Sequence, residues 1–259
     1  MKNLLILLSA FICFACQKED KFKSKGFQVS EINEEEGKEI VGLPFDSLKF
    51  NTEPKKVLLT RHPAHRLIPI FKVNEVEKRG KKSFFTGNVS FYFDWRVDAE
   101  GNQWNGNYIP GFEIVYGYNF LNVAHHNTEN KSTNNLFERP VLIKNLYYPT
   151  LSKDTLNNQP VTRNYYLVSL YNEDTNKDGY LNQQDLRKLL WFDLNGEFVK
   201  ELIPYGYSVM SSEYDRENDY MYVMARHDQN ENGQMESTES INVFWIDLKN
   251  PEQNGLLYK

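Results

Sequence analysis

Two segments of equal length, residues 174–185 (DTNKDGYLNQQD) and 228–239 (DQNENGQMESTE), constrain this chain more than anything else in it. In each, an oxygen-bearing side chain stands at segment positions 1, 3, 5, 9 and 12, and glycine stands at position 6. That spacing wraps hard oxygen ligands around a calcium ion, with glycine permitting the sharp turn midway. The segments start 54 residues apart (228 − 174 = 54), and the offset extends beyond them. Trp191-Phe192-Asp193-Leu194 falls on Trp245-Ile246-Asp247-Leu248, Tyr166 on Tyr220 and Gly179 on Gly233, without a gap. The loops are parts of a repeated structural unit.

The flanks of the loops predict strands. Short runs rich in β-branched and aromatic residues, separated by Gly, Asn, Asp and Pro, place strands at 67–73, 90–95, 112–118, 141–146, 165–171, 198–203, 207–214, 220–226 and 241–248. Only residues 183–190 show a helical period, so the class is all-β. Asn195-Gly196 is a favoured two-residue hairpin turn. Four antiparallel strands per repeat is the blade pattern of a β-propeller. A blade of about 40–45 residues plus a calcium loop comes near the observed spacing. A weaker copy at 119–146 aligns with 164–194, its offset drifting from 45 to 48 residues, and its gap at 127–135 keeps no metal-ligand pattern. The expectation is a β-propeller-like array of antiparallel four-stranded blades over residues 57–259, with repeats near 119–146, 164–194 and 218–248 and EF-hand-like loops inserted in hairpins.

In the first loop Asp174, Asn176, Asp178 and Asp185 are expected to ligate calcium through side chains, Tyr180 through its carbonyl, and Asn182 directly or through water. The corresponding set in the second is Asp228, Asn230, Asn232 and Glu239, the Gln234 carbonyl, and Glu236. The first loop presents more directly coordinating carboxylates and is expected to bind more tightly. A sensor EF-hand opens a pair of flanking helices; strand-like flanks leave no such switch, so calcium here is expected to be structural.

The start of the chain reads as an export signal. Lys2 precedes an apolar run, residues 4–15, that is too short to span a bilayer. Ala15 before Cys16 resembles the cleavage site of a bacterial lipoprotein signal, with Cys16 the lipidated residue, although Cys13 stands where leucine is usual. The alternative is an ordinary cleaved secretory signal. Lys18-Glu19-Asp20 resembles a surface-export tag, so the expected location is the outer membrane, displayed at the cell surface or otherwise retained on the periplasmic face. Cleavage leaves 259 − 15 = 244 residues with one cysteine. No disulfide within the chain is then possible, so something else must staple the exported domain, and bound metal is a candidate. Residues 16–56 are polar and read as a flexible tether. A formal net charge of −5 argues against nucleic acid as a partner.

The strand, D-T-N-K-D-G-Y-L-N-Q-Q-D, strand, F-D-L-N-G order, repeated once after a lipoprotein-type start, resembles the calcium-loop β-propeller lipoproteins of Gram-negative bacteria, loosely TolB-like. The resemblance covers about residues 164–248 and implies a fold and calcium binding, but no reaction. Catalytic candidates are thin. His62, His65, His125 and His126, with Glu113 as base, are the residues from which a zinc or hydrolase site is imaginable, but Pro63 within the H-x-x-H prevents a helical pair. Asp46-Ser47-Leu48 and Asp154-Thr155-Leu156 resemble O-glycosylation acceptors. The functional expectation is an envelope lipoprotein, a binding or scaffold module held to the membrane by lipid, with an envelope protein or glycan as partner. The alternative is an exported hydrolase acting on glycans or peptides, with its site on one propeller face.

Overall fold

The computed structural model describes residues 26–29, 51–78, 81–86 and 109–259. The leader at 1–15, Cys16, the Lys18-Glu19-Asp20 tag, the Asp46-Ser47-Leu48 motif and the strand expected at 90–95 lie outside the described residues. The described elements, in chain order, are all strands: β1 (Phe27–Gln28), β2 (Thr52–Pro54), β3 (Leu58–Leu59), β4 (His65–Lys78), β5 (Lys81–Thr86), β6 (Phe112–Asn127), β7 (Ser132–Asn135), β8 (Leu142–Pro149), β9 (Asp154–Leu156), β10 (Gln159–Val161), β11 (Tyr165–Tyr171), β12 (Tyr180–Leu181), β13 (Lys188–Asp193), β14 (Phe198–Glu201), β15 (Tyr207–Asp215), β16 (Tyr220–His227), β17 (Ile241–Asp247) and β18 (Asn254–Tyr258).

The chain is all-β, and its sheets are antiparallel and open. A ten-stranded sheet runs β14-β13-β11-β8-β6-β4-β2, with β3 and β5 on β4 and β7 on β6. A four-stranded sheet runs β15-β16-β17-β18, and two ribbons pair β1 with β12 and β9 with β10. The helical reading of 183–190 does not hold. Lys188, Leu189 and Leu190 belong to β13, and the two leucines point to opposite faces of a sheet that is covered on both. Their i, i+3, i+4 spacing with Leu186 imitates a helix only because that strand has no solvent face.

Both described copies of the repeat have one plan. β8-β11-β13-β14 and β15-β16-β17-β18 are each four consecutive antiparallel neighbours, and in each the calcium-type loop joins the second strand to the third. Their pairing registers differ by one residue, however. Leu167 faces Trp191, whereas Trp245, the counterpart of Trp191, faces Tyr222 rather than Met221. A one-residue slip exchanges the faces of a strand. The two tryptophans therefore lie on equivalent strands without equivalent partners.

The core has two main parts, separated by the large sheet. One face of β8, β11 and β13 packs Leu146, Tyr166, Val168, Leu170, Leu190 and Phe192 against Leu67, Phe71 and Phe120 of β4 and β6. The other face packs Tyr147, Tyr165, Leu167 and Leu189 against Val209, Met221, Val223, Phe244 and Ile246 of the four-stranded sheet. The weaker copy at 119–146 spans the end of β6, β7 and part of β8. Asn119 at φ 57 coincides with a register shift in β6, and Phe120 then pairs with Ile143. Such a bulge bends the strand. Beyond it β6 pairs with β4 and folds back on β7, with no metal-type loop. Within the stretch read as tether, Phe27–Gln28 and Thr52–Pro54 are strands. Neither is free linker: Phe27 is buried with Leu121, Leu142, Tyr171 and Leu181, and Thr52–Pro54 pairs with β4.

Candidate metal centres

The two loops are cross-linked internally by the same hydrogen bonds, in register. The N–H groups of Asp178 and Asn232, at position 5, donate to the position-1 carboxylates of Asp174 and Asp228, both at 3.1 Å. They also donate to the position-3 amide oxygens of Asn176 and Asn230, at 3.0 and 3.1 Å. Gly179 and Gly233 donate to the second oxygen of the same aspartates, both at 2.9 Å. Tyr180 and Gln234 donate to Asp178 Oδ1 and Asn232 Oδ1, at 2.9 and 2.8 Å. The position-12 carboxylate closes each loop, taking the N–H of position 2 on one oxygen and that of position 9 on the other. Asp185 does so from Thr175 and Asn182, both at 2.8 Å, and Glu239 from Gln229 and Glu236, at 2.9 and 3.1 Å.

Backbone conformation repeats as well. Lys177 and Glu231, at position 4, have φ 57, and Gly179 and Gly233 have φ 83 and 72. A left-handed non-glycine residue is uncommon, so its recurrence at the same loop position shows that the whole turn recurs.

Every group so arranged at positions 1, 3, 5 and 12 presents oxygen. Each carboxylate oxygen has two lone pairs, so an N–H bond leaves acceptor capacity toward a cation. Among the described residues none of the loop carboxylates forms an ion pair with lysine or arginine. No three His, Cys, Asp or Glu side chains gather into a metal-holding group there either; the sets rely on asparagine and carbonyl oxygens as well. Asp185 is fully buried, and burial pushes its carboxyl up to about 7, against the pull of the N–H groups of Asn182, Asn176 and Thr175. A buried acid without a cationic side chain, with the Asp174 carboxylate also pushing its carboxyl up and amide oxygens close by, is a donor set that suits calcium.

The loops also touch, through a residue that the motif does not mark. Thr175 Oγ1 donates to Gly233 O at 2.6 Å and accepts the Leu186 N–H at 2.9 Å. A Cβ on Gly233 would lie 1.9 Å from Thr175 O, so the second loop's glycine is needed for contact as well as for its turn. Nothing in the sequence marks Thr175, because position 2 carries no ligand. In the second loop the candidate ligands also bind one another: Glu236 accepts from Asn230 Nδ2 at 3.0 Å and Asn232 Nδ2 at 3.1 Å. Asn182, its counterpart in the first loop, is instead buried and takes the Gln184 N–H at 2.7 Å. The chain entering the second loop is fixed by Arg226 Nη1, which donates to Ser237 O and Glu239 O at 3.1 and 2.6 Å. Behind the first, the buried Arg187 donates through Nε to Val209 O at 2.5 Å and through Nη2 to Met210 O. Burial holds its guanidinium down to about 10.

The histidine and glutamate set is not assembled. His65 Nδ1 and His125 Nε2 are 3.0 Å apart and share a hydrogen bond, while His62 Nε2 bonds Arg163 O at 2.8 Å and His126 Nδ1 bonds Thr133 Oγ1 at 2.8 Å. Glu113 lies toward the other end of β6, accepting from Tyr148 OH at 2.6 Å and Thr150 Oγ1 at 2.9 Å. Comparison with protein-family models and with curated proteins found no match to this chain. Among the described residues no helix is long and apolar enough to cross a membrane.

Proposed function

We propose that this chain is a cell-envelope lipoprotein whose β domain, organised as propeller-like four-stranded units, is stabilised by calcium in two EF-hand-like loops and serves as a binding or scaffold module. One observation carries the reading: two loops of calcium-type spacing share their internal hydrogen bonds and their left-handed residues at a constant offset of 54 residues. Asp174, Asn176, Asp178, Tyr180, Asn182 and Asp185 hold one ion, and Asp228, Asn230, Asn232, Gln234, Glu236 and Glu239 the other. Calcium supplies the positive charge that the loops lack and replaces a disulfide as the staple. The membrane is reached through lipid on Cys16, and the partner is an envelope protein or glycan.

Extracellular calcium modules bind with dissociation constants of about 10⁻⁴ to 10⁻³ M, and one site at a hundredfold excess adds roughly 2.7 kcal/mol. Calorimetry of the full chain with and without a chelator tests the reading. Two calcium ions should bind, and chelation should lower the melting temperature. Asp174→Ala and Asp228→Ala should each remove part of that shift. An unchanged melting temperature with no measurable calcium binding would overturn the reading.

A further inference from the structure

The first loop is gripped by a segment far away in sequence. β1 lies antiparallel to β12, pairing Phe27 with Leu181 and Gln28 with Tyr180. The Val29 N–H donates to Gly179 O at 2.9 Å, and Gln28 Nε2 donates to Tyr180 OH at 2.6 Å. Phe27, 2 % exposed, fills a pocket with Leu121, Leu142, Tyr171 and Leu181. A Cβ on Gly26 would fall 2.0 Å from Leu181 O and 2.9 Å from Asn182 Cβ, so only glycine lets the segment approach. These contacts cover positions 6 to 9 of the first loop, including the ligand candidates Tyr180 and Asn182. Among the described residues no strand covers the same positions of the second loop, which instead has Gly233 against Thr175.

We propose that residues 26–29 form a clasp on the first loop, so that calcium binding there and attachment of the N-terminal segment are one coupled equilibrium. The inference rests on the calcium reading above. A cation fixes the backbone of positions 6 to 9, the surface that β1 pairs with, and β1 in turn holds that backbone in its ligating conformation. The coupling is reciprocal: whatever factor calcium adds to clasp attachment, the clasp adds to calcium affinity.

The test is calcium titration of the full chain by calorimetry, with terbium luminescence as a second signal. Tyr180 is the only aromatic residue in either loop, so it sensitises terbium bound in the first. Phe27→Ala, and separately Gly26→Val, should weaken the site that Asp174→Ala abolishes by about tenfold, within the usual range of coupling factors, and leave the site that Asp228→Ala abolishes unchanged. In the wild type, calcium should slow trypsin cleavage at Lys25, and Phe27→Ala should remove that protection. Gly26→Val keeps the test informative if Phe27→Ala does not fold, because it acts through a clash with the Leu181 carbonyl and keeps the phenylalanine side chain. If the wild type binds two calcium ions and both variants keep both affinities, or weaken both sites equally, the clasp is overturned and the calcium reading stands. If the wild type binds no calcium, both fall.

Discussion

The two repeats are alike in sequence and unlike in burial. In β11 all seven residues are buried, whereas in β16 buried Met221, Val223 and Ala225 alternate with partly exposed Tyr220, Tyr222 and Met224. The first unit forms one end of a ten-stranded sheet, with a hydrophobic cluster on each face; the second covers only one of those clusters. The one-residue difference in register belongs to this contrast, because Met221 and Val223 of β16 must share a face with Phe244 and Ile246 of β17. In the first unit Leu167 shares its face with Leu189, and Leu190 and Phe192 go to the other. A sequence repeat here determines the loop and its backbone, while the neighbours of each strand determine which side of it is core.

The largest expected effect comes from breaking the link between the two units. Arg163, just before β11, donates to both oxygens of Asp219, just before β16, at 2.9 and 2.7 Å, and each side chain is 2 % exposed. It also donates to Leu248 O at 2.6 Å and Pro110 O at 3.1 Å. Removing one partner of a buried pair leaves a charge without compensation and costs about 3–5 kcal/mol. Asp219→Ala should lower the denaturant midpoint accordingly. A loss under about 1 kcal/mol, or two separate transitions, would mean that the units fold independently.

A paired truncation measures the contrast in burial itself. Leu170 and Met224 are counterparts (224 − 170 = 54), but Leu170 is fully buried and Met224 is on the partly exposed face. Leu170→Ala should cost about 2–5 kcal/mol, and Met224→Ala less than about 1 kcal/mol. Equal losses in urea titrations would contradict the two-faced and one-faced description.

What was legible in the sequence does not follow burial. The fully buried β11 and the one-faced β15, β16 and β17 were all placed to within a residue, because runs of β-branched and aromatic residues between Gly, Asn, Asp and Pro are local. The loops were legible because oxygen spacing and glycine are local properties. The length of β6 was not: its two halves pair with different strands across the bulge at Asn119, and long-range pairing leaves no periodic trace. Phe27 was passed over because a single aromatic in a polar stretch looks like linker until the pocket that receives it is known. The contact of Thr175 with Gly233 joins residues 58 apart and involves main-chain oxygen, which no side-chain pattern reports.

A smaller effect separates the two loops at position 6. An added Cβ on Gly179 meets nothing within 4 Å, so Gly179→Ala carries only the cost of a left-handed alanine, about 1–2 kcal/mol. Gly233→Ala carries that cost and also collides with the Thr175 carbonyl, 1.9 Å from the ideal Cβ. It should be the more destabilising by about 1–3 kcal/mol, the usual range for overpacking. Under the calcium reading it should disturb the first loop's titration as well as its own. If the two alanine variants match in stability and binding, the loops are not in contact in solution.

The smallest expected effect distinguishes the two sheets by acid. His65 and His125 join β4 to β6 in the large sheet, with ring centroids 5.1 Å apart. Burial lowers both from the usual histidine value, and repulsion lowers them further, from His62 on His65 and from His65 on His125. Arg66 and His126 act in the same direction, while a hydrogen bond to the Leu194 backbone opposes on His125, Asp193 on both rings and Glu129 on His65. The fold therefore prefers them neutral. Their contribution is fully present above the unfolded-state value, about 6.5, and is lost as pH falls through it toward the lowered folded values. In chelator the buried Asp185 carboxyl, raised to about 7, adds stability as pH falls over the same range and opposes the histidines, so their decline is read from the difference between the wild type and His125→Phe. Amide exchange should quicken along β4 and β6 before β16 and β17. His125→Phe removes one titrating ring from the pair and should flatten the decline. A profile with the same slope in that variant would place the acid sensitivity elsewhere in the molecule.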